Sequence, residues 1–134
     1  MKVSSAVLEA LNAGLTIELT AVNQYLIHSK MCESWGLHKL AQHYYAESIE
    51  EMKHAEEVID RVLYLNGIPE IARYDVVHAG KTPEEQISHN LAMESKGVDT
   101  YNEAIQVCID HKASGSRELM ERMVVESEES VDWA

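Results

Sequence analysis

Residues 47–69 read ESIEEMKHAEEVIDRVLYLNGIP. Through this stretch and the residues before it, Leu40, Tyr44, Glu47, Glu51, His54, Val58, Val62 and Leu65 follow one another at spacings of three and four. That is the repeat of one face of an α-helix. Gly67 and Pro69 end it, because proline cannot donate the next backbone hydrogen bond. The face is apolar at both ends and carries Glu47, Glu51 and His54 in its middle. A long helix with one such stripe is stable only when the stripe packs against other helices.

Working outward, the chain breaks at Gly36, at Gly67 to Pro69, from Gly80 to Pro83 and at Ser114-Gly115-Ser116. The breaks leave three helical segments of about 30 residues and a fourth of about 18. Thr82-Pro83-Glu84-Glu85 resembles a capping box with proline at the first helical position. Gly115 is expected to end the third helix in the left-handed conformation, and Ser116 to cap the fourth. The connection from about Gly67 to Lys81 is long, whereas the other two are tight. Tight turns join antiparallel neighbours, and a long connection can return along the bundle. The expected fold is all-α: an up-down-down-up four-helix bundle with a long crossover between helices two and three, one domain over residues 1–134.

The formal net charge of -12 repels a phosphate backbone and argues against nucleic acid as a partner. It suits attraction of cations, although acidic surfaces also serve simply to keep a protein dissolved. Cys32 and Cys108 fall within helical patterns rather than in a CxxC pair, as buried apolar thiols of a reducing compartment do. Glu9 and Asn12 interrupt the apolar core that a signal peptide needs. No apolar run approaches the roughly 18 residues of a membrane span. A cytoplasmic protein without a membrane partner is expected.

The same spacing selects Leu8, Leu11, Leu15, Glu18, Val22 and Tyr25 on helix one, and Ile87, Leu91, Glu94, Val98, Tyr101 and Ile105 on helix three. Each of the three stripes therefore carries carboxylate near its middle. A buried carboxylate costs several kcal/mol unless it is paired, and three at one level repel one another. No Lys or Arg shares these stripes at that level. A divalent or trivalent cation supplies the missing charge. Glu51 and His54, spaced Glu-x-x-His, share one helix face as in the di-iron carboxylate bundles. Carboxylate oxygens with one imidazole suit iron or manganese, and zinc occupies such sites opportunistically. Glu47 is expected to face the cavity or support the site rather than bind the metal.

A second apolar stripe on helix two runs through Tyr45, Ile49, Met52 and Ile59. Leu19, Asn23 and Leu26 lie on a comparable side of helix one, with Trp35 near its end. A second apolar face on a four-helix bundle implies a partner surface, in which methionine is ordinary packing.

Two longer segments carry a family resemblance. LTIELTAVNQYLIHSKMCESWGL (Leu15 to Leu37) and ESIEEMKHAEEVIDRVLYLNGIP (Glu47 to Pro69) are similar to the first two helices of bacterioferritins, with shorter echoes at Glu94, Ser116-Arg117 and Asp132-Trp133. The resemblance covers nearly the whole chain. It implies the ferritin-like connectivity and a di-iron ferroxidase site with Glu18, Glu51, His54 and Glu94 as ligands. Glu51 would bridge or share metal, Glu18 and His54 would hold one iron, and Glu94 would reach the other. Tyr25 would supply an electron during oxygen chemistry. The resemblance also implies one haem across a two-fold axis, ligated by Met52 of each subunit and surrounded by Leu19, Asn23, Leu26, Trp35, Tyr45 and Ile49.

Two departures stand against the family pattern. Where bacterioferritins have a Glu and a His three residues apart on helix four, this chain has Ser127 and Ser130. Glu126 and Glu129 keep the spacing but lie one residue out of register, about 100° round the helix, so a local bulge would be needed to bring them inward. The chain also ends at Ala134, before the short fifth helix that closes four-fold contacts in a 24-subunit shell. A homo-oligomer of two-fold dimers, with twelve subunits favoured over twenty-four, is the expectation. The expected function is a haem-containing iron-binding protein that oxidises Fe(II) with oxygen or peroxide and stores or detoxifies iron. The alternative is a haem-binding electron-transfer subunit with an incomplete di-iron site, beside an active paralogue. A DNA-protecting mini-ferritin is disfavoured by the acidic charge and the lack of a basic tail. A rubrerythrin-like peroxidase is disfavoured by the missing second ExxH and cysteine-ligated iron.

Overall fold

The computed structural model describes residues 3–133. Its helices are α1 (Ser5–Ser34), α2 (His38–Tyr64), α3 (Pro83–Asp110) and α4 (Ser114–Trp133). Thr82 starts α3 by accepting the Glu85 N–H at 3.1 Å, with Pro83 in the first turn. The capping box departs from its usual form, since Glu85 reaches back one residue further, to the Lys81 N–H at 2.7 Å. The first three helices end alike. Gly36, Asn66 and Lys112 take φ of 79°, 61° and 54°, and the next residue donates to a carbonyl five positions back: Leu37 to Cys32, Gly67 to Val62, Ala113 to Cys108. This Schellman closure satisfies carbonyls that would otherwise be orphaned.

Lys112 therefore takes the left-handed position expected of Gly115. Gly115 lies in the first turn of α4, where the Arg61 guanidinium packs close to its Cα. Ser116, expected as a cap, is buried and accepts from Arg61 Nε at 3.0 Å. This contact between α2 and α4 has no signature in the local sequence.

The main core joins Val7, Leu11 and Leu15 of α1, Val58 and Val62 of α2, Tyr101 of α3, and Leu119, Met120 and Met123 of α4. Each such side chain stabilises the fold by about 1.5–3 kcal/mol on burial. A smaller cluster at the other end holds Ala21, Tyr25, Cys32, Ala41 and Tyr44. On α3 the buried face is Gln86, Asn90, Glu94, Gly97, Tyr101, Ala104 and Cys108. Ile87 and Leu91, placed inside by the apolar pattern, are instead 36% and 38% exposed. The cause is hydrogen bonding: Gln86 Oε1 accepts from Cys32 Sγ at 3.0 Å, and Asn90 Oδ1 accepts from Gln24 Nε2 at 3.0 Å and from His28 Nδ1 at 2.9 Å.

α1 also departs from the hydropathy expectation. It contains an 18-residue window of mean hydropathy 1.2, long and apolar enough by length and composition to cross a membrane. Here 61% of that window is buried within the bundle, because α1 packs against α2, α3 and the crossover.

Along α1 runs a polar stripe at steps of four: Asn12, Thr16, Thr20, Gln24 and His28, all buried. Asn12 donates to the Ile68 carbonyl and accepts the Glu70 N–H. Thr16 accepts from Arg73 Nε, Thr20 from the Asp75 N–H, Gln24 from the His78 N–H, and His28 Nε2 from the Gly80 N–H. Both threonine hydroxyls donate to their own helix at i−4, which frees the oxygen to accept. The crossover thus climbs α1 in register. Since α2 ends beside the start of α1, α3 begins at α1's far end and runs antiparallel to it, giving the up-down-down-up order.

Asn12→Leu removes two crossover hydrogen bonds and should cost about 1–3 kcal/mol. Urea titration should show the lower midpoint, and limited proteolysis should cut residues 68–80 before the helices open.

Candidate metal centre

Between the two apolar clusters stand Glu18 of α1 with Glu51 and His54 of α2, all buried, their ligand-type atoms within 4.8 Å of one another. Glu51 and His54 share a face because they lie three apart on one helix. His54 Nδ1 is 3.5 Å from Glu18 Oε2 and 3.8 Å from Glu51 Oε2, long for hydrogen bonds. Oxygen and nitrogen ligands of one divalent ion, with bonds of about 2.1 Å, lie about 3–4 Å apart. Glu18 Oε2 is buried and has no hydrogen-bond partner among the described residues, while Oε1 accepts the Tyr101 O–H. An unpaired buried carboxylate oxygen is costly, and a cation between it, Glu51 and Nδ1 removes the cost.

Glu94 of α3 is buried beside this group but outside it. Its Oε1 accepts the Tyr25 O–H at 2.9 Å. α4 is helical to Trp133, with Ser127 buried; no bulge turns Glu126 or Glu129 inward. Glu126 nevertheless contacts His54 Nε2 from its half-exposed position, its length doing what the register does not. A carboxylate on the second nitrogen fixes the tautomer of an imidazole whose first nitrogen faces a metal.

Without a cation, the cluster holds protons. Burial, then Glu18, pushes Glu51 well above the usual carboxylate range. Burial, then Glu51, pushes Glu94 up to about 8. Burial disfavours a charged His54, but Glu18 and Glu51 outweigh it and raise the imidazole to about 11. Burial and the neighbouring carboxylates push the Tyr25 and Tyr101 phenols up, so both remain donors. A cavity of about 280 Å³ opens onto Glu51 and His54, with Glu47, Glu50, Glu126 and Glu129 on its walls; Glu47 faces it as expected.

The pattern of residues had marked Tyr101 only as packing, since its hydroxyl's partner lies on another helix. Glu126 was visible only as a residue out of register.

On the outer side, Ser48 Oγ donates to the Val22 carbonyl and Ser29 Oγ to that of Ala41. This antiparallel register sets Leu19 level with Met52, Asn23 with Ile49 and Leu26 with Tyr45. All six are at least partly exposed, Met52 to 45%, and Trp35 is exposed just beyond the end of α1.

Between pH 4.5 and about 8, folded Glu94 holds a proton that the unfolded chain has lost, so raising the pH favours unfolding. Metal-free protein should lose stability on the order of 1–4 kcal/mol over that interval, and Glu94→Gln should flatten the slope. Because an ion must displace these protons, Co(II) should bind more tightly and raise Tm more at pH 8 than at pH 6. Scanning calorimetry with and without Co(II) checks both.

The ferritin-like domain family matches residues 8–134. Bacterioferritins of Mycobacterium tuberculosis and Mycobacterium avium are each 42% identical to this chain over 127 residues, covering 95% of it and 80% of their own length. The bacterioferritin of Rhodobacter capsulatus is 38% identical over 133 residues, 99% of this chain and 83% of its own. A solved structure of the Rhodobacter protein, described as having a metal-free dinuclear site and haem iron in a crystallographic special position, aligns with a TM-score of 0.97 over 99% of this chain and 83% of that one. With four helices in the same arrangement and identity of this extent, the chain belongs to the bacterioferritins, within the ferritin family.

Proposed function

We propose that this chain is a cytoplasmic, haem-containing iron-storage subunit that oxidises Fe(II) at the Glu18–Glu51–His54 centre. The single observation that carries the reading is the buried, donorless Glu18 Oε2, which faces His54 Nδ1 at 3.5 Å. Ferrous iron is the substrate. Glu18 and His54 bind it, Glu51 is shared with a second ion, and Glu94 offers a further carboxylate. Each ion gives one electron to oxygen or peroxide, and the anionic ligand set favours the ferric product. Tyr25, which donates to Glu94, would supply an electron at the same centre.

Haem is the cofactor that the outer face fits. Met52 offers a soft thioether in the middle of an exposed apolar strip, level with Leu19, and thioether sulfur is a known axial ligand of haem iron. An iron in a special position, as described for the Rhodobacter protein, lies on a symmetry element, so two copies share one haem. By that reading the unit of assembly is a two-fold dimer with Met52 from each copy; nothing in the fold favours twelve subunits over twenty-four. When bound, haem supplies a redox group between the iron centre and external electron donors. Ser127 at the buried α4 position favours a second reading, an electron-transfer subunit whose di-iron site is incomplete.

Oxygen consumption on addition of Fe(II) distinguishes the two. Glu18→Ala and His54→Ala should slow it at least about tenfold (roughly 1.4 kcal/mol or more of barrier); no oxygen consumption by the wild type supports the second reading. Met52→Leu should abolish the low-spin haem spectrum at unchanged helicity, and an unaltered spectrum refutes the haem assignment.

A further inference from the structure

Tyr101 of α3 is fully buried in the main core, yet it ends in a hydroxyl that needs a partner there. Two acceptors lie within its reach: Glu18 Oε1 and the Gly14 carbonyl at 3.3 Å. Gly14 stands inside α1, where its carbonyl already takes the Glu18 N–H along the helix. The carboxylate is also the stronger acceptor, so the phenol proton goes to Glu18. The approach of the ring depends on position 14. A Cβ there would stand 3.0 Å from Tyr101 Cε1, closer than packed carbons sit, and glycine is otherwise a poor residue for a helix interior. With no side chain at 14, the phenol lies against α1 one turn before Glu18.

The two oxygens of Glu18 are thereby made unequal. Oε1 takes a donor from α3. Oε2 is buried, has no hydrogen-bond partner among the described residues and faces His54 Nδ1 at 3.5 Å. A carboxylate free to turn can put both oxygens on one ion, whereas a donor on one oxygen keeps that oxygen off the metal. We propose that Tyr101 is a positioning residue of the iron centre, holding Glu18 by Oε1 so that it binds Fe(II) through Oε2 alone. The position that a second Glu18 oxygen would fill then stays open for the oxidant, as catalytic zinc sites keep one position open. The inference rests on the metal reading of Glu18, Glu51 and His54, and concerns the way in which Glu18 binds.

Tyr101→Phe keeps the ring and removes the hydroxyl, and circular dichroism checks that helicity is unchanged. Crystals of wild type and variant soaked in Co(II), with Co(II) absorption spectra of both in solution, test the proposal on the whole chain. Wild type should show Glu18 on the ion through one oxygen, with the other hydrogen-bonded to Tyr101 Oη. In Tyr101→Phe the second oxygen should move onto the ion, and the d–d bands, which report coordination number, should shift and weaken. The wild-type complex decides the binding mode even if the variant folds poorly. Both Glu18 oxygens on the ion in wild type, Tyr101 Oη itself on the ion, or an unchanged mode and spectrum in the variant overturns the inference and leaves the centre standing. Co(II) bound away from Glu18, or not at all, overturns the metal reading with it.

Discussion

Glu18, Glu51 and Glu94 bring three carboxylates into the middle of a four-helix bundle with only one imidazole among them, and the surrounding structure is arranged to tolerate that charge. Tyr101 donates to Glu18, Tyr25 to Glu94, and Glu126 braces His54 from outside. All four helices therefore contribute to one polar level between two apolar clusters. Burial favours the protonated, neutral forms of Glu51 and Glu94, whereas Glu18 and Glu51 overcome burial at His54 and favour its charged form. A cation bound there would exchange for those protons, which would tie ligand binding, pH and stability together in one set of side chains.

Around this centre, the chain's path depends on a second constraint. A crossover of extended chain has backbone groups that need partners. α1 supplies them through Asn12, Thr20, Gln24 and His28, while Thr16 takes the Arg73 side chain; the five stand four residues apart, which is about 6 Å along the helix axis. Two or three residues of extended chain cover the same distance, so the crossover meets a donor or acceptor at each step. That match carries the chain back up the bundle and makes α3 run antiparallel to α1. Glu94 then arrives at the level of Glu18 and Glu51.

α2 serves three purposes at once. One face presents His43, Glu47, Glu51 and His54 inward and along the cavity, and another presents Tyr45, Ile49 and Met52 to the outside. Its last turns pack Val58 and Val62 into the core. Glu51 and Met52 are neighbours in sequence yet about 100° apart round the helix, so a buried anionic centre and an exposed apolar strip sit back to back, with only the helix between them.

The fold class, the four helices, the long crossover and the gathering of Glu18, Glu51 and His54 were all legible in the residues alone. Helical periodicity is a local property, and a carboxylate in an apolar stripe stands out against it. The same logic misplaced Ile87 and Leu91, whose side of α3 was decided by Gln86 and Asn90 finding partners on α1. It also assigned the left-handed turn to Gly115, whereas Lys112 takes it and Gly115 lies inside α4. Tyr101's bond to Glu18, Glu126's reach to His54 and the polar stripe that holds the crossover join residues between 52 and 83 positions apart in the chain. Periodicity along the chain says which way a side chain faces; only the packing of one helix against another decides what it meets there.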